Sequence, residues 1–104
     1  MLFVTYWEIN EQMSTAERLQ TVGKLAQSGL FPPQGVNILR WDATPDGWGT
    51  LLVEAEDEAA IHRAIAIWRA ASTGFLKFTK TAPAQPVQDA VAVEMALLQA
   101  LAAT

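Results

Sequence analysis

Leu2-Phe3-Val4-Thr5-Tyr6-Trp7-Glu8-Ile9 reads as a strand that is apolar on both of its sides. Side chains alternate across a strand, so Leu2, Val4 and Tyr6 point one way and Phe3, Thr5, Trp7 and Ile9 the other. The segments Gly35 to Ala43, Trp48 to Ala55 and Phe75 to Thr81 also read as strands. Between them lie two segments with helical periodicity, and two helices can cover only one face of the sheet. The second face needs another cover, and the same face of a second copy supplies it.

The helix signals are local and specific. Ser14 followed by Glu17 forms a capping box, in which each side chain satisfies a free backbone N–H. Met13, Ala16, Leu19, Gly23, Ala26 and Leu30 recur at three- and four-residue steps, widened by Val22 and Leu25, which predicts an apolar stripe facing the sheet. Gly29 ends this helix in the left-handed conformation, and Pro32 and Pro33 forbid its continuation. Thr44-Pro45-Asp46-Gly47 supplies the turn of an antiparallel hairpin. Asp57 caps a second helix, which presents Ile61, Ala64, Ile65 and Trp68 on one side and is closed by Gly74. Lys77 and Lys80 suit the last strand to a sheet edge.

The order strand, helix, strand, strand, helix, strand predicts an α+β fold, the ferredoxin-like split βαβ sandwich with spatial strand order 4-1-3-2. Residues 1–82 form this domain, and residues 83–104 form a C-terminal extension. Beyond Pro83 and Pro86, Val87, Val91, Met95, Leu98 and Leu101 repeat at helical spacing. This third helix is expected to pack on its own subunit, the alternative being an arm that crosses to a partner.

On this reading Leu2, Val4, Val36, Ile38, Leu51, Val53, Leu76 and Phe78 face the helices. Phe3, Thr5, Trp7, Asn37, Leu39, Trp41, Trp48, Thr50, Leu52, Glu54, Phe75 and Lys77 form the second face. Such a surface exceeds the few hundred Å² of apolar patch that monomers tolerate. Burying ~600 Å² of it contributes roughly 15 kcal/mol before association costs. A homodimer joined sheet to sheet is therefore expected.

Composition removes several classes of function. The 104 residues amount to one domain, with 51% hydrophobic and 17% charged side chains. A net charge of −4 speaks against nucleic acid as a partner, because phosphate binding depends on Lys and Arg. There is no cysteine, hence no disulfide framework, thiolate nucleophile or Cys-type zinc site. With neither a basic leader nor a ~20-residue apolar span, the expectation is a cytoplasmic protein with no membrane partner.

Met1 to Trp7 (MLFVTYW), Pro32-Pro33-Gln34-Gly35-Val36 and Leu52-Val53-Glu54-Ala55-Glu56-Asp57 resemble a family of small bacterial proteins catalogued as a domain of unknown function. The chain over residues 1–81 resembles, more broadly, the dimeric α+β barrel superfamily, which includes antibiotic-biosynthesis and haem-degrading monooxygenases. The resemblance implies a barrel of two sheets with a cavity. It also makes His62 a candidate haem ligand, with Asn37 and Trp7, Trp41 or Trp48 as possible cavity residues.

No catalytic or cofactor motif stands out in the chain. Glu54 is the one carboxylate expected between the sheets, where desolvation would fit it for general-base work. Trp7, Trp41 and Trp48 suit either an interface or a flat aromatic ligand, whereas Trp68 belongs to the core. Thr5, Trp7, Asn37, Trp41, Trp48 and Glu54 are thus the candidates for binding or interface. No metal site and no cofactor is expected. The favoured function is a non-enzymatic binding or structural module with an apolar cavity for a small hydrophobic ligand. The alternative is a cofactor-independent or haem-linked monooxygenase.

Overall fold

The computed structural model describes all residues from Met1 to Thr104. Its elements are β1 (Leu2–Ile9), α1 (Thr15–Ser28), β2 (Val36–Ala43), β3 (Trp48–Ala55), α2 (Glu58–Ala71), β4 (Leu76–Pro83) and α3 (Val87–Ala102). The four strands form one antiparallel sheet in the order β2-β3-β1-β4. This is the ferredoxin-like βαββαβ arrangement with an added C-terminal helix. No helix is long and apolar enough to cross a membrane.

Local chemistry sets the element ends. The Glu17 N–H donates to Ser14 Oγ at 3.1 Å, and the Ser14 N–H donates back to Glu17 Oε1 at 3.4 Å, so the capping box is complete. Gly29, at φ 69°, takes the left-handed position that ends α1. The Ala60 N–H donates to Asp57 Oδ1 at 2.9 Å at the start of α2. That helix closes at Ser72, whose N–H donates to the Trp68 carbonyl, two residues before the expected Gly74. β4 runs on to Pro83 rather than Thr81, and an edge strand tolerates a proline there.

The sheet register corrects the assignment of faces. Phe3 pairs with Val53, Thr5 with Leu51 and Trp7 with Gly49, and directly paired residues share a face. Leu51 and Val53 do face the helices, so Phe3, Thr5 and Trp7 join them, and Phe3, Thr5 and Val53 are the largest fully buried side chains. Leu2, Val4, Tyr6 and Glu8 occupy the open face, opposite Glu54, Leu52, Thr50 and Trp48.

Two irregularities divide β2 and β4 as well. In β2 Ile38 pairs with Val53 but Arg40 pairs with Leu52, so the bulge at Leu39 turns Trp41 toward the helices. In β4 Leu76 pairs with Ile9 and Phe78 with Glu8, which puts Leu76 on the helix side and Phe78 on the open side.

The helices cover their side unevenly. α2 buries Ala60, Ile61, Ala64 and Trp68. α1 buries only Thr21 and Leu25, whereas Leu19 (64% exposed), Val22 (44%) and Leu30 (60%) of the expected stripe stay in solvent. α3 buries no residue at all, which overturns the expectation that it packs on its own subunit. It projects from the body and stretches the molecule to 60 × 29 × 19 Å.

Candidate functional site

Incomplete cover by α1 leaves an apolar cavity of about 330 Å³ between the sheet and the two helices. Thr5, Trp7 and Ile9 of β1, with Leu76 and Thr79 of β4, form its floor. Trp41, Trp68, Phe31 and Phe75 form an aromatic wall, and Arg18, Leu19 and Val22 of α1 stand on the opposite side. The volume lies in the range of small-molecule sites, which are lined mainly by apolar and aromatic groups.

Trp68 centres the wall. Its ring lies 5.5 Å from Phe31, 5.7 Å from Trp41 and 5.3 Å from Phe75, the first two edge to face. Such offsets suit the ring quadrupoles. Trp41 also meets Phe31 at 5.3 Å, and the β2 bulge is what swings it into this group. Trp7 is held differently. Its ring lies against the bare Cα of Gly49, where a Cβ would collide with both the indole and the Asp42 carbonyl oxygen. The Trp7 indole N–H is buried without an acceptor, so packing and not hydrogen bonding fixes the ring.

Apart from the Trp7 indole N–H, the hydroxyl and charged groups around the cavity are engaged within the chain. Thr5 Oγ1 shares a hydrogen bond with Thr81 Oγ1 at 2.8 Å. Thr79 Oγ1 accepts from Arg69 at 3.0 Å, and Asp42 accepts from Arg40 Nε at 2.6 Å. Arg18 donates to Thr15 at 3.1 Å and has no carboxylate partner. The cavity contains no nucleophile beside a base, and no group of three His, Cys, Asp or Glu side chains could hold a metal ion.

The sheet separates the candidates read from sequence. Thr5, Trp7 and Trp41 line the cavity, on the helix side rather than between sheets. Asn37, Trp48 and Glu54 lie on the open face, where Asn37 pairs with Glu54 across β2 and β3. Glu54 is exposed, 3.3 Å from the N-terminal ammonium, so it has no place in the cavity as a general base. His62 is exposed on α2 and absent from the cavity lining. A haem held by His62 would lie outside the aromatic chamber, and the residues present do not fit that group.

Phe31 and Thr79 line the cavity although neither is among the residues expected there, and Trp68, expected in the core, forms part of the wall as well. Phe31 could have been found from its position, an aromatic residue between the end of α1 and the Pro32-Pro33 pair. Thr79 carries no such signal, because its face depends on the irregular register of β4.

The open face carries its own aromatic group. Tyr6 lies 5.7 Å from Trp48 and 6.2 Å from Phe78, and its hydroxyl donates to Glu8 Oε1 at 2.6 Å. The hydrogen bond to Glu8, then burial, then the carboxylate charge raise the Tyr6 pKa above the usual 10.0. Raising the pKa means the phenol is held neutral, so its contribution to stability is present below the ordinary value and lost as pH climbs through the raised one. Glu8→Gln is expected to return the titration toward the ordinary range, read by NMR on the ring carbons of the only tyrosine. An unchanged titration would refute the assignment to Glu8.

Comparison with known families supplies the remaining observation. The model of the family described as domain of unknown function DUF3303 matches residues 1–98. The chain belongs to the DUF3303 family. The match runs through the proline-rich join and most of α3, further than the resemblance read over residues 1–81. The family region of this DUF3303 chain therefore contains the cavity, the open sheet face and the projecting helix together. Among curated proteins none matches it.

Proposed function

We propose that this DUF3303 protein is a non-enzymatic binding module that takes a small, mostly apolar molecule in the cavity between its sheet and helices. It works as a homodimer of the α+β barrel kind, with the open sheet faces of two copies set against each other. The observation that carries the binding reading is the chamber of about 330 Å³ walled by Trp41, Trp68, Phe31 and Phe75. Engagement of Thr5, Thr79 and Asp42 within the chain also favours binding over acid–base chemistry. Support for the dimer comes from the exposed Val4, Trp48 and Phe78 on the open face.

The test is calorimetric titration of the full chain with 2-naphthol. Saturable binding with a negative heat-capacity change is expected, since apolar surface is buried. Val22→Arg places a cation at the mouth on an exposed helix position, and it weakens the binding at least tenfold. Binding that is absent, or indifferent to Val22→Arg, defeats the cavity reading.

A further inference from the structure

We propose that α3 is an exchanged arm, which in the homodimer lies along α1 of the partner and roofs the mouth of the partner's cavity. The inference rests on the dimer and the cavity put forward above, and adds what closes the site.

The first ground is area. The chain exposes 7208 Å², whereas a folded monomer of 11.3 kDa exposes about 5,700 Å². The excess of about 1,500 Å² per chain is more than the ~800 Å² that each partner contributes to a standard interface. The radius of gyration, 17.3 Å, likewise exceeds the ~13 Å expected of a compact chain this long. Much of the excess is α3, where Leu97, Leu98 and Leu101 are 57%, 70% and 72% exposed. A helix this apolar is stable only when its face is covered.

The second ground is complementarity with α1. Leu19 and Val22 line the cavity yet remain exposed, so the chamber lacks a roof along this helix. Leu19, Gly23 and Ala26 follow one another at helical spacing on α1, and a Cβ on Gly23 would meet nothing within 4 Å. Gly23 and Ala26 thereby leave a shallow seat beside Leu19. The 14 residues of α1 and 16 of α3 give helices of about 21 and 24 Å. Charge agrees with this match. Asp89 and Glu94 are the only charged side chains of α3, and α1 offers Arg18 and Lys24, neither of which is in an ion pair. An acidic arm is also poorly suited to an anionic membrane surface.

The third ground is the join. The Ala84 N–H donates to the Leu2 carbonyl at 2.8 Å, which holds the chain to the sheet edge beyond Pro83. Only Gln85 and Pro86 then precede α3, and proline fixes its own φ. So short a link keeps the start of α3 beside the sheet edge, and the helix, which buries no residue of its own chain, is left for a second copy to receive.

The chain has no cysteine, so Leu98→Cys provides a single attachment point for a benzophenone maleimide at an exposed position. Irradiation of the full-length dimer is expected to give a product of twice the chain mass, with the adduct in residues 18–30 of the other chain. Arg18→Glu with Lys24→Glu lowers that yield at least fivefold, and Asp89→Lys with Glu94→Lys restores it. An adduct within the same chain, an adduct between two α3 helices, or a monomer by light scattering overturns the proposal. Light scattering and 2-naphthol titration on the same sample separate the failures: a dimer that still binds 2-naphthol without the α1 adduct sinks the arm alone.

Discussion

Gly49→Ala is expected to lower the melting temperature by at least about 10 °C. Gly49 is the buried residue of β3 that faces Trp7 of β1 and pairs with Ala43 of β2. A methyl there collides with the Asp42 carbonyl oxygen, which is backbone, and with the Trp7 ring. A flexible side chain can turn aside, but a paired strand cannot move without loosening its ladder. Overpacking of this kind costs about 3 kcal/mol or more, and in a domain of this size each kcal/mol shifts melting by about 4–8 °C. Gly23→Ala is the control. A Cβ on Gly23 in α1 meets nothing, and removing a glycine from a helix interior stabilises by about 1 kcal/mol. Opposite shifts for the two substitutions, measured by calorimetric melting, support this account. A Gly49→Ala protein that melts with the parent would show that Trp7 does not rest on that strand.

Trp68→Ala has the second large effect, on both stability and binding. Trp68 is 9% exposed and touches Phe31, Trp41 and Phe75, so truncation leaves a void at the meeting point of α2, β2 and the segment after α1. Replacing a buried aromatic residue by alanine costs about 3–5 kcal/mol. The same change removes the centre of the cavity wall, and 2-naphthol affinity is expected to fall more than tenfold at a temperature where the variant remains folded. Trp48→Ala, on the open face, is expected to leave that affinity unchanged. Equal losses from the two substitutions would refute the placement of the site on the helix side.

The fold was legible in the chain because its signals are local. Ser14 with Glu17, Asp57, Gly29 and the Thr44-to-Gly47 turn mark ends of elements by chemistry that acts within a few residues. Which side of each strand faces inward was not legible in β1. Leu2, Val4 and Tyr6 are about as apolar as Phe3, Thr5 and Trp7, so alternation offers two answers of similar burial. The deciding fact is the pairing of Trp7 with Gly49, a contact between residues far apart in sequence. The bulges at Leu39 and between Leu76 and Phe78 each turn the residues beyond them to the other side, and no residue type announces either. Trp41 consequently belongs to the cavity, Trp48 to the open face, and only part of the expected site comes together. The α1 stripe is apolar, but Leu19 and Val22 on it do not face the sheet closely enough to be buried.

The edge-to-face meeting of Trp41 and Trp68, 5.7 Å apart with an angle of 81° between planes, gives the protein a built-in optical signature. Two identical chromophores this close share their excitation, and their skewed transition dipoles split it into circular-dichroism bands of opposite sign. The splitting depends steeply on separation and mutual orientation. A guest that wedges the indoles apart would dim the couplet without any added label.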